Sequence, residues 1–278
     1  MGDTWNTDDF VRDIGRQYDR VQSALNRRDD ERQYLNFGFR ARSDTPFPVT
    51  QERLCLEVFA AAEIPPDATI LDVGFGSGDQ DLLLAEHFSF GRLIGVNVSR
   101  TQVERARDRI HSAGLGDRME FHVCSAEELT MLDDDSVDRV LAVECAMYFD
   151  RSRFYQEAAR ILKRGGRIAL ADLAWRDWLK PWTGLSTLTR RFGTLGANRA
   201  AWSPFFRTMT TRNISPFTRP GAGASAWQCL ARAAGEARHG RWRNCRACLE
   251  LAGGSAAVWF FLGTGLMRYE LIVLEAKA

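Results

Sequence analysis

The sequence has no excess of either charge, only four histidines and no apolar run long enough to cross a bilayer. Its 37 basic residues are balanced by 36 acidic ones, so no net field attracts nucleic acid or an anionic membrane. The apolar stretch 251–266 is too short and too rich in glycine for a transmembrane helix, and we expect a buried or lid segment there. The polar, acidic first residues lack the layout of a secretion signal.

The six cysteines follow no regular spacing, which is typical of a reducing compartment rather than of a disulfide framework. We therefore expect a cytoplasmic protein. Cys245 and Cys248 have the spacing of half a zinc site, but no second cysteine pair and no nearby histidines accompany them, so no metal is predicted. The basic residues between Arg232 and Arg246 are interpreted as a solvated helix face rather than as an RNA-binding surface.

Residues 70–78, Ile-Leu-Asp-Val-Gly-Phe-Gly-Ser-Gly, run from a predicted buried strand straight into a glycine-rich turn. Glycines there let backbone amides approach a ligand that side chains would exclude. The dinucleotide pattern G-x-G-x-x-G would need its third glycine at position 79, which is Asp79. The turn therefore favours a nucleoside cofactor without a diphosphate, with S-adenosylmethionine as the leading candidate. A tight turn without a ligand is the alternative.

Strands and helices alternate through the middle of the chain, which predicts an α/β fold with a doubly wound, mostly parallel sheet. The predicted strands are 68–73, 92–97, 118–124, 137–143 and 167–172. The predicted helices are 8–29, 48–62, 79–88, 100–113 and 151–163. A capping box of Ser99 and Gln102 is expected to open the fourth helix, and Lys163 to Gly166 are expected to end the fifth.

We divide the 278 residues into four parts. These are an N-terminal helical cover (1–62), a cofactor-binding core (63–175), a variable lid over the acceptor (176–262) and a final strand of the core sheet (263–278). One further strand is expected near 207–214 inside the lid. The tryptophans of the lid are expected to form mostly its own core; they are Trp178, Trp182, Trp202, Trp227, Trp242 and Trp259.

Ligands of doubly wound sheets bind at the carboxyl ends of the strands, and polar residues stand at several of these ends. Asn97 closes the second strand, where an acidic residue would hold ribose hydroxyls, and its alternative role is simply to end the strand. Ser125 and Ala126 follow the third strand, where an adenine would lie, although Ser125 could equally cap a helix. Glu144 and Tyr148 follow the fourth strand. Cys145 has no histidine placed to activate it as a nucleophile.

These motifs resemble class I S-adenosylmethionine-dependent methyltransferases. Asp72-Val-Gly-Phe-Gly-Ser-Gly78 is similar to the first motif of that family, and Gly95-Val-Asn-Val-Ser-x-x-Gln102 to the segment after its second strand. Val143 to Asp150 and Leu162 to Ile168 are similar to later motifs of its small-molecule branch. That branch modifies macrolides, glycosides and polyketides, with sterol and tocopherol methyltransferases as distant members. The resemblance implies a seven-stranded, Rossmann-like fold and covers about 34–175 and 266–275.

The resemblance also implies roles for individual residues. The cofactor-binding residues it implies are Tyr34, Asp72, Gly74, Gly76, Gly78, Asn97, Val98, Gln102, Ser125, Ala126 and Glu144. Within this set, Asp72, Gly74 and Gly76 would line the methionine part, Asn97 would reach the ribose, and Tyr34 would close over the cofactor. Family members often have Asp where Ser125 stands, and many O-methylating members have His where Tyr148 stands.

Without that histidine, the catalytic candidates are Tyr148, Glu144 and Asp172. We expect methyl transfer to a hydroxyl of a hydrophobic small molecule, with a homodimer left open and neither nucleic acid nor stable membrane insertion expected. One alternative is C-methylation of an enol or alkene, for which Phe37, Phe39, Tyr148, Phe149 and Trp175 offer aromatic rings to a developing cation. Others are a cyclase or binding protein that retains the cofactor pocket without methylating, and a nicotinamide oxidoreductase.

Overall fold

The computed structural model describes residues 13–20, 32–182 and 192–277. Residues 13–20 are helical (α1), and the remainder of the predicted helix 8–29 lies outside the described residues. Residues 32–46 form an irregular loop, and α2 then runs over Phe47–Ala62. Proline is favoured in the first turn of a helix because its missing N–H has no intrahelical partner there, and α2 begins with Pro48 at its second position.

Strands and helices then alternate as the sequence predicted, with ends that agree to within a few residues. The elements are β1 (Thr69–Val73), α3 (Asp79–His87), β2 (Arg92–Asn97), α4 (Arg100–Ser112), β3 (Met119–Val123), β4 (Val137–Val143), α5 (Arg151–Ile161), β5 (Leu162–Trp175), α6 (Leu195–Trp202), β6 (Phe206–Asn213), α7 (Ser215–Arg238), α8 (Trp242–Gly263) and β7 (Met267–Ala276). Short 3₁₀ turns at Ala146–Tyr148 and Asp177–Trp182 follow β4 and β5.

Across the described residues the strands form one seven-stranded sheet in the order β3-β2-β1-β4-β5-β7-β6. Strands β1 to β5 pair in parallel, and β7 runs antiparallel to both of its neighbours. This is the predicted Rossmann-like methyltransferase architecture. The predicted strand near 207–214 exists as β6, so the sheet takes its edge strand from the segment assigned to the lid.

The expected end of α5 at Lys163 to Gly166 is wrong. The helix ends at Ile161, and β5 begins at the next residue. The pairing of β4 with β5 steps from Val137↔Leu162 to Arg139↔Arg167, so residues 163–166 form a bulge at the start of β5 rather than a helix cap. Gly165 has a φ of +76° in this bulge, a conformation that glycine adopts without strain.

Apolar residues bury both faces of the sheet because helices cover both. The neighbouring residues Ile70 and Leu71 of β1 belong to separate core clusters, since successive side chains of a strand point to opposite faces. Parallel sheets covered in this way place their polar residues at the strand ends. The centre of the sheet is therefore a closed core, and the site lies beyond its carboxyl edge.

Helices α7 and α8 form an antiparallel hairpin, which we call the lid hairpin (residues 215–263). Its two helices contact each other through Ser225 and Ser255, whose hydroxyl oxygens lie 3.0 Å apart. By length and composition α8 is the one helix among the described residues that could cross a membrane. The apolar segment is thus longer than the 251–266 expected from the sequence, and only 28% of its most apolar stretch is buried.

Most of the lid tryptophans are not core residues, which corrects the expectation from the sequence. Trp202 is buried, whereas Trp178, Trp227, Trp242 and Trp259 are exposed. The side chain of Trp182 lies outside the described residues.

Candidate active site

The glycine-rich turn after β1 presents bare main chain to a crevice at the carboxyl edge of the sheet. Gly74 and Gly76 line this crevice with φ angles of +68° and +66°. A Cβ added at Gly74 would lie 2.6 Å from the Cβ of Cys145, whereas a Cβ at Gly76 would project into open space. The absence of a side chain at Gly76 therefore keeps the crevice itself clear.

Gly78 plays a different role from the one the sequence suggested. It lies outside the crevice lining and precedes α3 with a φ of +83°. A Cβ there would lie 2.8 Å from the Cβ of Ala106 on α4. Gly78 thus allows α3 and α4 to pack closely.

The end of β2 supplies Asn97, Val98 and Gln102 to the crevice. The Asn97 side chain accepts a hydrogen bond from the Ser99 amide at 3.0 Å and donates to Gln102 Oε1 at 2.9 Å. Ser99 caps α4 through the Gln102 amide, so only half of the predicted capping box forms. The Gln102 Nε2 atom is buried without a hydrogen-bond partner. A buried donor of this kind calls for a ligand acceptor, because an unpaired donor is unfavourable.

The loop after β3 closes the far end of the crevice. Ser125 and Ala126 line it as predicted. Ser125 caps no helix; its Oγ accepts from the Glu127 amide at 3.2 Å and forms a turn. Glu127 also lines the crevice, and one of its carboxylate oxygens accepts from the Asp150 amide while Oε2 is buried without a partner. Burial raises the pKa of Glu127, and the unpaired oxygen can accept from a bound ligand.

Glu144 lies directly after β4 with a φ of +54°, which is unusual for a residue other than glycine. Its Oε1 atom accepts from the Phe37 amide at 2.6 Å and from the Tyr269 hydroxyl at 2.5 Å. Desolvation by the surrounding protein raises the pKa of Glu144 to about 8, the nearby Asp172 carboxylate adds to this, and the two hydrogen bonds oppose it. The carboxyl group therefore changes charge near neutral pH.

A second cavity of about 620 Å³ adjoins the crevice, and we call it the acceptor cavity. Its wall has more apolar than polar surface and comes from α1, the loop 32–46, the carboxyl ends of β4 and β5, and the lid hairpin. The charged residues Arg20, Arg232 and Glu250 also line it. Large, mostly apolar cavities with a few polar groups are typical small-molecule sites. Its large apolar lining residues include Phe37, Phe47, Met147, Leu173, Trp175, Phe192, Val258 and Phe261.

The crevice and the acceptor cavity share one wall. Tyr34, Glu144 and Tyr148 line both. The Tyr148 hydroxyl accepts a hydrogen bond from Tyr18 of α1 at 3.1 Å, and the two rings meet edge to face. A group bound in the crevice can thus approach a molecule in the cavity at Glu144 and Tyr148.

Asp172, one of the three predicted catalytic residues, lines neither cavity. Leu173 and Trp175 of β5 line the acceptor cavity, so strand alternation turns Asp172 to the opposite face of the sheet. There it forms a buried ion pair with Arg151 of α5 at 2.6 Å. Its position makes it a structural residue.

Asp72 also lies outside the crevice lining. It is fully buried beneath the glycine turn, accepts from Gln80 Nε2 at 2.6 Å and lies beside the carboxyl group of Asp81. Burial raises the pKa of Asp72 to about 7 and that of Asp81 well above its ordinary value. The adjacent Asp72 carboxylate adds to the effect of burial in raising the pKa of Asp81. Gln80, which does line the crevice, connects the pair to the site.

Several lining residues were missed from the sequence. Gln33, Leu35 and Asn36 flank the predicted Tyr34, and Glu127 follows the predicted Ser125 and Ala126, so adjacency was the available signal. Tyr18 also lines the crevice; the sequence placed it only within the predicted helix 8–29. Cys145 lines the crevice, but its Sγ donates to the Val73 carbonyl and burial raises its pKa, which argues against a nucleophilic thiolate.

Comparison with known proteins relates the segment that carries the crevice to methyltransferases. Residues 71–170 match the family model described as a methyltransferase domain. The methyltransferase GfsG of Streptomyces halstedii is 34% identical over 62% of this chain and 62% of its own length. The erythromycin 3''-O-methyltransferase of Saccharopolyspora erythraea is 30% identical over 53% of this chain and 48% of its own length. The geranyl diphosphate 2-C-methyltransferase of the same organism is 28% identical over 55% of this chain and 52% of its own length. The chain thus spans roughly half to three fifths of the length of these relatives.

The solved structure of the [4+2]-cyclase SpnF shares the fold, with a TM-score of 0.80 and 22% identity over 95% of both chains. Residues 71–170 are thus similar to a methyltransferase domain, and the relatives that share this segment are named as methyltransferases. The crevice lies at the carboxyl edge of a Rossmann-like sheet, where folds of this kind bind their ligands.

Proposed function

We propose that this protein is an S-adenosyl-L-methionine-dependent methyltransferase, with S-adenosyl-L-homocysteine as the product, and that it methylates a hydroxyl group of a hydrophobic secondary metabolite such as a polyketide, macrolide or glycoside. The observation that carries the proposal is the shared wall, because Glu144 and Tyr148 lie between the crevice and a large apolar cavity. The similarity to an erythromycin 3''-O-methyltransferase supports oxygen as the methylated atom.

The residues of the crevice fit the cofactor in size and chemistry. S-adenosylmethionine supplies an electrophilic methyl group on a sulfonium. The main chain at Gly74 and Gly76 accommodates the amino-acid part, because no side chain projects there. Asn97 binds the ribose, with Val98 and Gln102 beside it, and the loop at 125–127 binds the adenine. Tyr34 covers the cofactor, and the unpaired atoms of Gln102 and Glu127 offer one donor and one acceptor.

Glu144 accepts the proton of the acceptor hydroxyl in this proposal. A general base works best when its pKa lies near the operating pH, and the pKa of Glu144 is about 8. The Phe37 amide and the Tyr269 hydroxyl hold one carboxylate oxygen and fix its direction. The other oxygen is then able to face the acceptor.

Tyr148 positions the acceptor rather than deprotonating it, because Glu144 supplies the base in this proposal. The hydrogen bond from Tyr18 fixes the ring of Tyr148. A bound lipophilic acceptor that fills the cavity would displace water from Glu144, which strengthens the electrostatic interactions there. Holding the two reactants at near-attack distance supplies the remaining advantage, which is worth up to about 7–11 kcal/mol in well-oriented systems.

The test is an assay with cofactor labelled in its methyl group and a panel of hydroxylated polyketides and glycosides. We expect label to appear on oxygen in at least one lipophilic acceptor, with S-adenosylhomocysteine formed in equal amount. Accumulation of S-adenosylhomocysteine only when acceptor is present separates methylation from cofactor breakdown. A panel in which only enols or alkenes react would contradict O-methylation.

C-methylation is the second candidate, and a specific observation favours it. Phe37, Tyr148 and Trp175 line the acceptor cavity, so three of the five aromatic residues predicted for cation stabilisation are in place. Phe149 lines the crevice, and Phe39 is buried against Phe217. A relative named as a geranyl diphosphate 2-C-methyltransferase is consistent with this candidate, and the fold of SpnF keeps a cyclase without methyl transfer as a third.

All six cysteines are free, which supports the cytoplasm as the compartment of the reaction.

A further inference from the structure

The lid hairpin exposes an unusual number of large apolar side chains. The described residues expose thirteen of them, and seven lie on the hairpin. They are Phe217, Trp227, Leu230, Trp242, Leu249, Trp259 and Phe260. Exposed apolar side chains that share one face mark interaction surfaces, whereas singly scattered ones do not.

Three of these residues form one face of α8. Trp242, Leu249 and Phe260 are separated by seven and eleven residues, which brings them to the same side of a helix. Their exposed fractions are 69%, 49% and 52%. The opposite face of α8, including Cys248 and Leu262, is buried in the protein. The helix is therefore apolar on both sides, and only one side has a partner within the described residues.

The hairpin also carries the positive charge of the protein. Residues 215–263 contain six arginines, two glutamates and no lysine or aspartate, which gives a net charge of +4. Because the whole chain has a net charge of +1, the residues outside the hairpin have a net charge of −3. The near balance of the full sequence averages over this separation of charge.

The charge and the aromatic residues coincide at the tip of the hairpin. Arg238, Arg241, Arg243 and Arg246 are exposed, and they surround the exposed Trp242 along the chain. Glu236 pairs with Arg241, and the only other glutamate of the hairpin pairs with Arg246. Farther along the hairpin, Arg219 lies 4.8 Å above the ring of Trp259. Arginine and tryptophan together suit the boundary between lipid headgroups and acyl chains.

We propose that the lid hairpin is a docking surface for an anionic lipid bilayer, on which α8 lies in the interface plane without crossing it. Its polar tip and its apolar face match the two layers of that interface. A second copy of the chain is a poorer partner, since two surfaces of net charge +4 would repel each other. A transmembrane arrangement would require the buried face of α8 to leave the protein.

The inner side of the same hairpin lines the acceptor cavity through Leu251, Val258 and Phe261. Docking would thus bring one wall of this cavity against the bilayer. A lipophilic acceptor dissolved in the membrane would enter without crossing water, a consequence that rests on the proposed function. The docking itself does not depend on it.

The test is flotation of the full-length protein with vesicles of phosphatidylcholine, with and without phosphatidylglycerol. We expect binding to the anionic vesicles and a blue shift of tryptophan emission, both of which salt weakens. The double variant Trp242→Ser/Phe260→Ser should bind about tenfold or more weakly, and Arg243→Glu should lose the preference for phosphatidylglycerol. Met131→Ser is the matched control, because Met131 is 43% exposed and lies outside the hairpin.

Affinity for S-adenosylhomocysteine, measured by calorimetry, should be the same in all these variants, since none of the changed residues lines either cavity. Absence of binding to anionic vesicles overturns the proposal, and so does an equal loss in Met131→Ser. Sedimentation velocity adds a third outcome. A wild-type dimer that the double variant dissociates, with no vesicle binding, would assign the surface to a second copy. No acceptor is used, so failure of the proposed reaction would not affect these results.

Discussion

Replacing Glu144 by glutamine tests the proposed proton acceptor most directly. Glutamine keeps the size of the side chain and can still accept from the Phe37 amide and the Tyr269 hydroxyl. It cannot take up a proton. The substitution therefore separates the chemical role of the carboxylate from its role in holding the loop and the strand end together.

The magnitude follows from the pKa of about 8. About a tenth of the Glu144 carboxyl is ionised at pH 7, about half at pH 8 and about nine tenths at pH 9. In the wild type we expect kcat/KM to rise about fivefold between pH 7 and 8 and to level off above pH 9. Glu144→Gln should lower kcat by about a hundredfold or more and remove this rise.

The measurement is single-turnover methyl transfer from labelled cofactor between pH 6 and 9.5, with a hydroxylated acceptor that reacts. Glu127→Gln is the matched control because Glu127 lines the crevice but not the acceptor cavity. That variant should bind the cofactor more weakly and retain the rise with pH. Calorimetry with S-adenosylhomocysteine measures the cofactor affinity of each variant separately.

Two results would refute the reasoning. One is a wild-type profile that is flat between pH 6 and 9, or a Glu144→Gln profile with the same rise as the wild type. The other is a Glu144→Gln variant whose kcat is unchanged while its affinity for S-adenosylhomocysteine falls. The carboxylate would then serve the methionine amino group and not the acceptor.

Three further predictions follow from the buried groups and the glycine turn. Gly76→Val should abolish binding of S-adenosylhomocysteine in calorimetry, because its side chain would fill the crevice, whereas Gly114→Val, at φ +69° and in open space, imposes similar backbone strain and should leave the affinity intact. Asp172→Asn should destabilise the protein by about 3–5 kcal/mol in urea unfolding because it leaves a buried arginine unpaired, and a hundredfold loss of kcat in the folded variant would contradict its structural role. Burial raises the pKa of Asp72 to about 7, so this group favours the folded state fully below about pH 4 and loses that contribution as pH rises through 7. Asp81→Asn should reduce the decline in unfolding free energy between pH 5 and 8, and equal declines in variant and wild type would be inconsistent with a shared proton.

Much of the fold was predictable because its signals are local. The run of β-branched and leucine residues before Gly74 predicted β1 to within a residue. The alternation of side chains near the end of the sequence predicted β7. The end of α5 was missed because Gly165 and Gly166 look like a helix cap, and only the pairing of β4 with β5 shows that they belong to a bulge. The basic residues between Arg232 and Arg246 were visible in the sequence, but the exposed aromatic side chains beside them appear only in the folded hairpin.

The candidate site likewise contains residues that the sequence predicts and residues that only the folded structure reveals. Asn97, Ser125 and Glu144 were predictable because the carboxyl ends of parallel strands meet at one edge. Asp172 also stands near a strand end, but the face to which it points depends on the register of β5. Tyr18 reaches the crevice from α1 through tertiary packing, which no local pattern reports.

The backbone at Glu144 has a consequence for engineering this enzyme. A residue with a Cβ held at φ +54° stores about 1–3 kcal/mol of strain, and burying its carboxyl group adds to that. Glu144→Gly would relieve both, but it would leave the Phe37 amide and the Tyr269 hydroxyl without their acceptor, at a cost of about 1–3 kcal/mol for each buried donor. The strained backbone is thus tied to the hydrogen bonds that hold the loop, and a stabilisation campaign that varies this codon needs an activity screen at every round.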